Sequence, residues 1–276
     1  MDNITPIFRV IFISFFLCLF SKGFAQIPAQ KVDSTSGANA AKSPLKIMVL
    51  PFHPIRYYFS DCDKNVSEKS KIDIQEIRNN FRSGLDYATE ESLEQKYEPI
   101  NLFQLKDSVS KEMLKKFYSN VSYSLDKPVG TLPKKQEKEL KKFRESITQA
   151  TVKPVGTGTP GKDEECYTQM EKDNGEYMKA SISPDFLQAM NELYHPDLYV
   201  TINQFEVKTD YEHCIDRDLG KFTRRFRVHY NVLNAEGKLI YGDVITARYN
   251  STNDNLTKIV QDNFGFLAEY ITRSIP

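Results

Sequence analysis

Residues 222–249 read FTRRFRVHYNVLNAEGKLIYGDVITARY, and their alternation decides the fold. Phe222, Arg224, Phe226, Val228, Tyr230 and Val232 fall on one side of the stretch. Thr223, Arg225, Arg227, His229 and Asn231 fall on the other. Period two with one largely apolar side is the pattern of a half-buried strand. Asn234-Ala235-Glu236-Gly237 follows as a turn, with Gly237 able to take a positive φ at no steric cost. A second strand returns from Lys238 to Tyr249. The pattern places Phe226 and Val228 in the core and Arg225 and Arg227 toward solvent, because a one-residue slip would invert every side chain.

Working outward, Leu45 to Phe52 is a short, nearly continuous apolar run ending around Pro51. That is the composition of a strand buried on both faces, in the middle of a sheet. Ile74, Ile77, Phe81, Leu85 and Ala88 recur at helical spacing and predict a long amphipathic helix that stops before Pro99. Ile100 to Leu105 reads as a short strand and Lys106 to Phe117 as a second helix. Ser183-Pro184-Asp185 starts another helix with a cap, a first-turn proline and an acid at the positive end. Leu198 to Ile202 is the next strand, and the apolar phase then slips to Phe205 and Val207, which predicts a bulge near Asn203-Gln204. A polar loop covers Thr209 to Gly220, and a final amphipathic helix runs from about Asn255 to Arg273. The fold class expected is α/β (α+β): one mixed sheet with a C-terminal β-hairpin and helices packed on it.

Residues 127–165 change character. Prolines and glycines punctuate both ends, and Lys134 to Glu145 is almost all Lys, Glu and Gln. The segment reads as a flexible insertion carrying a solvated helix. With residues 1–25 and 26–44 set aside, residues 45–276 are then a single domain interrupted by that insertion.

The N-terminus reads as an export signal. Arg9 precedes the apolar run Val10 to Phe20, and Gly23 and Ala25 sit at −3 and −1 of a cut before Gln26. The run is about half of the roughly 20 residues a spanning helix needs, so cleavage is expected and no transmembrane segment remains after it. Leu17 before Cys18 is not the small residue of a lipobox. Residues 26–44 are an aperiodic Ala/Ser/Gly/Lys tether. The mature chain is expected in the periplasm or secreted.

Lys+Arg and Asp+Glu balance at 37 each among 276 residues, which points away from nucleic acid and anionic membrane surfaces. Once Cys18 is removed, Cys62, Cys166 and Cys214 remain, each in a polar, acidic stretch. An oxidising compartment permits one disulfide among them. Spacing does not decide the pair; Cys166 and Cys214 are preferred because Cys62 adjoins the first strand.

Four candidate sites stand out. Asp61, Asp63, Asn65 and Ser67 alternate like calcium ligands, yet Val66 and Ile72 occupy the positions of the turn glycine and the bidentate glutamate. Thr157 to Lys162 superficially resembles a phosphate loop without its spaced glycines. Asp210, Glu212, His213, Cys214, Asp216 and Asp218 form the densest polar cluster, the alternative locus for a secreted metal-binding protein or enzyme. Arg225, Arg227 and His229, with Arg248 across the hairpin, form a basic strand face suited to an acidic partner. No Ser-His-Asp order, nucleophile elbow or paired-carboxylate motif appears, so no catalytic residue, cofactor or metal ligand is assigned.

Three stretches carry a family resemblance: Ile47 to Phe52, His195 to Val200, and Tyr230 to Tyr241. In their order the chain is similar to bacterial envelope accessory proteins, namely penicillin-binding-protein activator lipoproteins, the curli-secretion lipoprotein and the N-terminal domain of the Tol system's periplasmic protein. The resemblance implies a non-enzymatic envelope accessory or protein-interaction domain, with an envelope protein or a peptidoglycan-associated partner.

Overall fold

The protein is described by a computed structural model covering residues 43–130, 132–150, 176–216 and 221–276, with side chains at 147–150, 212–216 and 253 left undescribed. Its centre is the hairpin of β8 (Lys221–Asn234) and β9 (Leu239–Asn250). The register pairs Phe226 with Ala247 and Arg225 with Arg248, and Gly237 turns the chain at φ 78°. β7 (Leu198–Asp216) pairs antiparallel with β8, and their register shifts between Ile202 and Gln204, where the phase slip placed a bulge. On the far side of β7 lies β1 (Lys46–Leu50), parallel to it, and β3 (Glu98–Asn101) lies parallel beyond β1. β2 (Tyr58–Ser60) resumes beside β7 after the loop that follows β1. β5 (Val129–Gly130) extends the other edge beside β9, completing a seven-stranded mixed sheet.

Helices cover both faces. On one lie α1 (Asp63–Ser70), α2 (Ile74–Glu94), α4 (Lys134–Ala150) and α6 (Leu256–Arg273). Asp73 and Asn255 cap α2 and α6 by accepting from Glu76 and Lys258 N–H groups. Their apolar stripes meet Ile47, Val49, Phe205, Phe226 and Val228 in one cluster. Phe81, Phe205, Phe226 and Phe264 pack there in tilted and edge-to-face pairs with centroids 5.5–6.3 Å apart. Gly84 lets the two helices approach, since a Cβ there would lie 3.0 Å from Val260. The glycine that lowers the helix propensity of α2 thus sits where the packing is tight.

The opposite face divides in two. Over β3, β1 and the start of β7 lie α3 (Ser108–Asn120) and α5 (Pro184–Tyr194), burying Met48, Leu50, Met113, Phe117, Phe186 and Tyr199. Over β7, β8 and β9 lies a second sheet of β4 (Val121–Asp126) and β6 (Tyr177–Ile182).

Three expectations change. The 127–165 stretch does carry a helix, but Leu132 and Leu140 enter the main core and Gln136 donates to the carbonyls of Arg273 and Ile275. Residues 132–146 are therefore a packed part of the fold; a few apolar residues suffice where charged stems cover the rest. Residues 151–165, with the phosphate-loop-like stretch, lie outside the described residues. The polar loop after Thr209 is instead a continuation of β7 to Asp216. The segment before α1 also closes the calcium reading: Asp63 begins a helix and accepts from Tyr58, while Asp61 accepts from the Thr209 backbone and hydroxyl. Those oxygens serve the protein's own donors.

Cys62 is a buried thiol rather than an exposed loop cysteine. Cys166 and the Cys214 side chain, like residues 1–42 with the signal and tether, lie outside the description. Among the described residues no helix is long and apolar enough to cross a membrane.

Candidate functional site

The basic strand face is real as a register but differs in exposure from the expectation. Arg225 and Arg227 are half-buried, whereas His229 and Arg248 are buried, at 3% and 7% exposure. The cause is twofold. First, Glu206 on β7 stands opposite Arg227 on that face and is itself buried. Arg227 Nη1 lies 3.4 Å from one of its oxygens, Lys208 Nζ 2.7 Å from the same oxygen, and His229 Nε2 3.3 Å from the other. Gln204 also donates to it. Burial pushes the Glu206 carboxyl up, but the close approach of His229 Nε2, the contact with Lys208 and the charge of Arg227 outweigh it, holding the group ionised well below the usual carboxylate range. Second, β6 lies across the face. His229 Nδ1 accepts the Met178 N–H at 2.9 Å, which leaves Nε2 to carry the proton toward Glu206. Asn231 exchanges hydrogen bonds with both backbone groups of Ala180, and Asn203 donates to the Met178 carbonyl.

The polar residues of this face thus replace a strand ladder with side-chain contacts to backbone. Lys208, Arg225 and Arg248 form a cross-strand row of like charges, an arrangement that needs counter-charge, and Glu206 supplies it to Lys208 at 2.7 Å. Each of the three arginines is engaged within the molecule.

Arg224, on the core side of β8, makes a buried bidentate pair with Asp254 at 2.7 and 2.8 Å. An arginine among phenylalanines in the alternation was the legible signal of such a partner. The 210–218 cluster is not assembled into a site by what is described: Asp210 is buried on β7, and the side chains from Glu212 onward are outside the description. Among the described residues no group of three or more His, Cys, Asp and Glu side chains is placed to hold a metal ion. His195 caps α5 at φ 49°, remote in sequence and element from His53.

A second locus was not anticipated. β1 and β3 are adjacent and parallel, yet the chain leaves β1 toward α2 on one face and leaves β3 toward α3 on the other. The carboxyl ends of such a pair form a topological switch point, where open α/β sheets take ligands. A cleft of about 400 Å³ lies beside it, lined by His53, Arg56, Lys115, Tyr118, Ser119 and Val121. Tyr118 Oη bonds the Pro51 and Phe52 carbonyls at 3.1 and 3.3 Å and receives Arg82 Nη2 at 2.6 Å. Arg82 also stacks over Phe103, 4.3 Å from the ring centre. One turn along α2, Asp86 is wholly buried, with neither carboxylate oxygen hydrogen-bonded among the described residues. Burial raises its pKa to about 7, although Asn101 and the Arg82 charge pull it down. No sequence motif marks this cleft, because its lining comes from two stretches far apart in the chain, 53–56 and 115–121.

No protein-family profile, no curated protein and no solved structure matches the chain.

Proposed function

We propose that the chain is an exported, non-enzymatic accessory domain of the bacterial cell envelope that binds an acidic partner through the half-exposed part of its basic sheet face. The observation that carries this reading is the cluster around Glu206: one buried carboxylate organises Lys208 and Arg227 at the rim of a rigid sheet, beside Arg225. Guanidinium groups fixed in this way lose little entropy on meeting a carboxylate or sulfate of a partner. The export-type N-terminus and the resemblance to envelope accessory proteins support the compartment. His229 and Arg248 hold the face together from beneath rather than touch the partner. Affinity capture from envelope extracts tests the reading, using the mature chain and its Arg225→Ala/Arg227→Ala double variant. The native chain is expected to retain a salt-sensitive partner that the folded double variant loses. Equal capture by both would remove this face from the binding surface.

A further inference from the structure

We infer that the cleft at the carboxyl end of β1 binds a phosphate group carried on a small organic moiety. The cleft is separate from the basic sheet face and independent of the function proposed above. Its lining comes from three directions: His53 and Arg56 from the loop after β1, Lys115, Tyr118 and Ser119 from α3, and Val121 from the start of β4. Of these six residues Arg56 and Lys115 carry positive charge, His53 offers a further donor, and none is an acid.

The loop is built to present His53. Its Nδ1 accepts the N–H groups of Ile55 and Arg56 at 3.2 and 3.3 Å, so the proton resides on Nε2 as a hydrogen-bond donor. Burial and the charges of Arg56 and Arg82 lower its pKa, which keeps the ring a neutral donor near pH 7. The ring is set edge-on to Tyr118 at 4.8 Å, and Tyr118 is pinned by Arg82 and two carbonyls. Behind the lining, the Nε of Arg82 is buried with no hydrogen-bond partner among the described residues.

α3 ends at this cleft, and a helix carboxyl end repels anions. The local structure counters that: Ser119 and Asn120 side chains donate back to the Lys115 and Lys116 carbonyls, and Lys115 itself sits at that end. Donors facing the cleft from two separate elements, the loop after β1 and α3, reach different oxygens of a tetrahedral oxyanion, whereas a single fork satisfies a planar carboxylate. A volume of about 400 Å³ lies in the range of small-molecule sites and leaves room for more than the phosphate alone. Ile55, between His53 and Arg56 in the chain and 70% exposed, offers apolar surface near the attached moiety.

Isothermal titration of the full chain with glycerol 3-phosphate, inorganic phosphate and acetate tests the inference. Saturable binding of the ester is expected, with acetate weaker. The Arg56→Ser/Lys115→Ser double variant should raise Kd roughly tenfold or more, and Lys208→Ser on the sheet face should leave it unchanged. Vesicles containing phosphatidylglycerol, run in parallel, separate a lipid headgroup from a free ester as the source of the phosphate. Should the double variant fail to fold, amide shifts on the native chain decide: changes confined to residues 53–56 and 115–121 support the site. Absence of saturable ester binding both in solution and on vesicles, equal affinity for acetate, or shifts centred on β7–β9 would overturn it.

Discussion

The two faces of the β7–β8–β9 meander are built from the same strands by opposite chemistry. On one, Phe205, Phe226, Val228 and Tyr249 meet α2 and α6 in a dry aromatic cluster. On the other, Glu206, Arg227 and His229 form a charged cluster across β7 and β8, and His229 and Asn231 meet β6 through side-chain-to-backbone hydrogen bonds. Both faces bury their residues, so burial alone does not distinguish them. The dry face gains from area removed from water and from close packing. The wet face gains little net energy per bond but is costly to break, since each lost partner strands a desolvated group. Packing errors should therefore dominate on the first face and pH on the second.

The largest expected effect breaks the dry face. Phe226→Ala should cost about 3–5 kcal/mol through lost transfer energy and a residual cavity, read by urea denaturation. A loss under about 1 kcal/mol would mean the aromatic cluster is not closely packed.

Next comes the exception on the helical side of that face, Asp86. Its folded pKa of about 7 lies above its ordinary 3.8, so its contribution to stability is fully present below pH 3.8 and is lost as pH rises through 7. Asp86→Asn should therefore stabilise the chain at pH 8 by roughly 2–4 kcal/mol and flatten the profile between pH 4 and 8. Melting curves across that window that fail to separate the two proteins would place water or a counter-charge at the carboxylate.

Glu206 has the opposite sign. Its folded pKa is depressed, so its contribution is present above its ordinary 4.5 and is lost as pH falls through the folded value. Glu206→Gln should cost about 2 kcal/mol at pH 7 and reduce the loss of stability seen in the native chain on acidification below pH 4.5. An unchanged acid limb would show that other carboxylates govern it.

The smallest effect sharpens the division within the wet face. Arg227 is half-exposed and 3.4 Å from Glu206, so Arg227→Ala should cost only about 0.5–1 kcal/mol. A loss above about 3 kcal/mol would make Arg227 a buried partner of Glu206 rather than part of a binding rim.

Sequence determined more of the frame than of the sites. Strict alternation from Phe222 to Val232 set strand, register and dry face together, because period two admits one register once a face is apolar. The apolar run Ile47 to Leu50 announced a central strand, and helical spacing announced α2, α3, α5 and α6, since these signals are local and amphipathic. Tertiary structure alone decided what lies over the second face. Arg225, Arg227 and His229 read as a solvated surface because alternation records polarity, not cover; β6, whose residues carry no strong pattern, supplies that cover through backbone groups that sequence does not display. The same holds for α4 and the segment leading into it, where Leu140 and Leu132 among many lysines and glutamates enter the core. It holds for the switch-point cleft, whose two cations, Arg56 and Lys115, lie far apart in the chain and converge only because β1 and β3 send their connections to opposite faces. Periodicity belongs to one element; a site belongs to the way several elements meet.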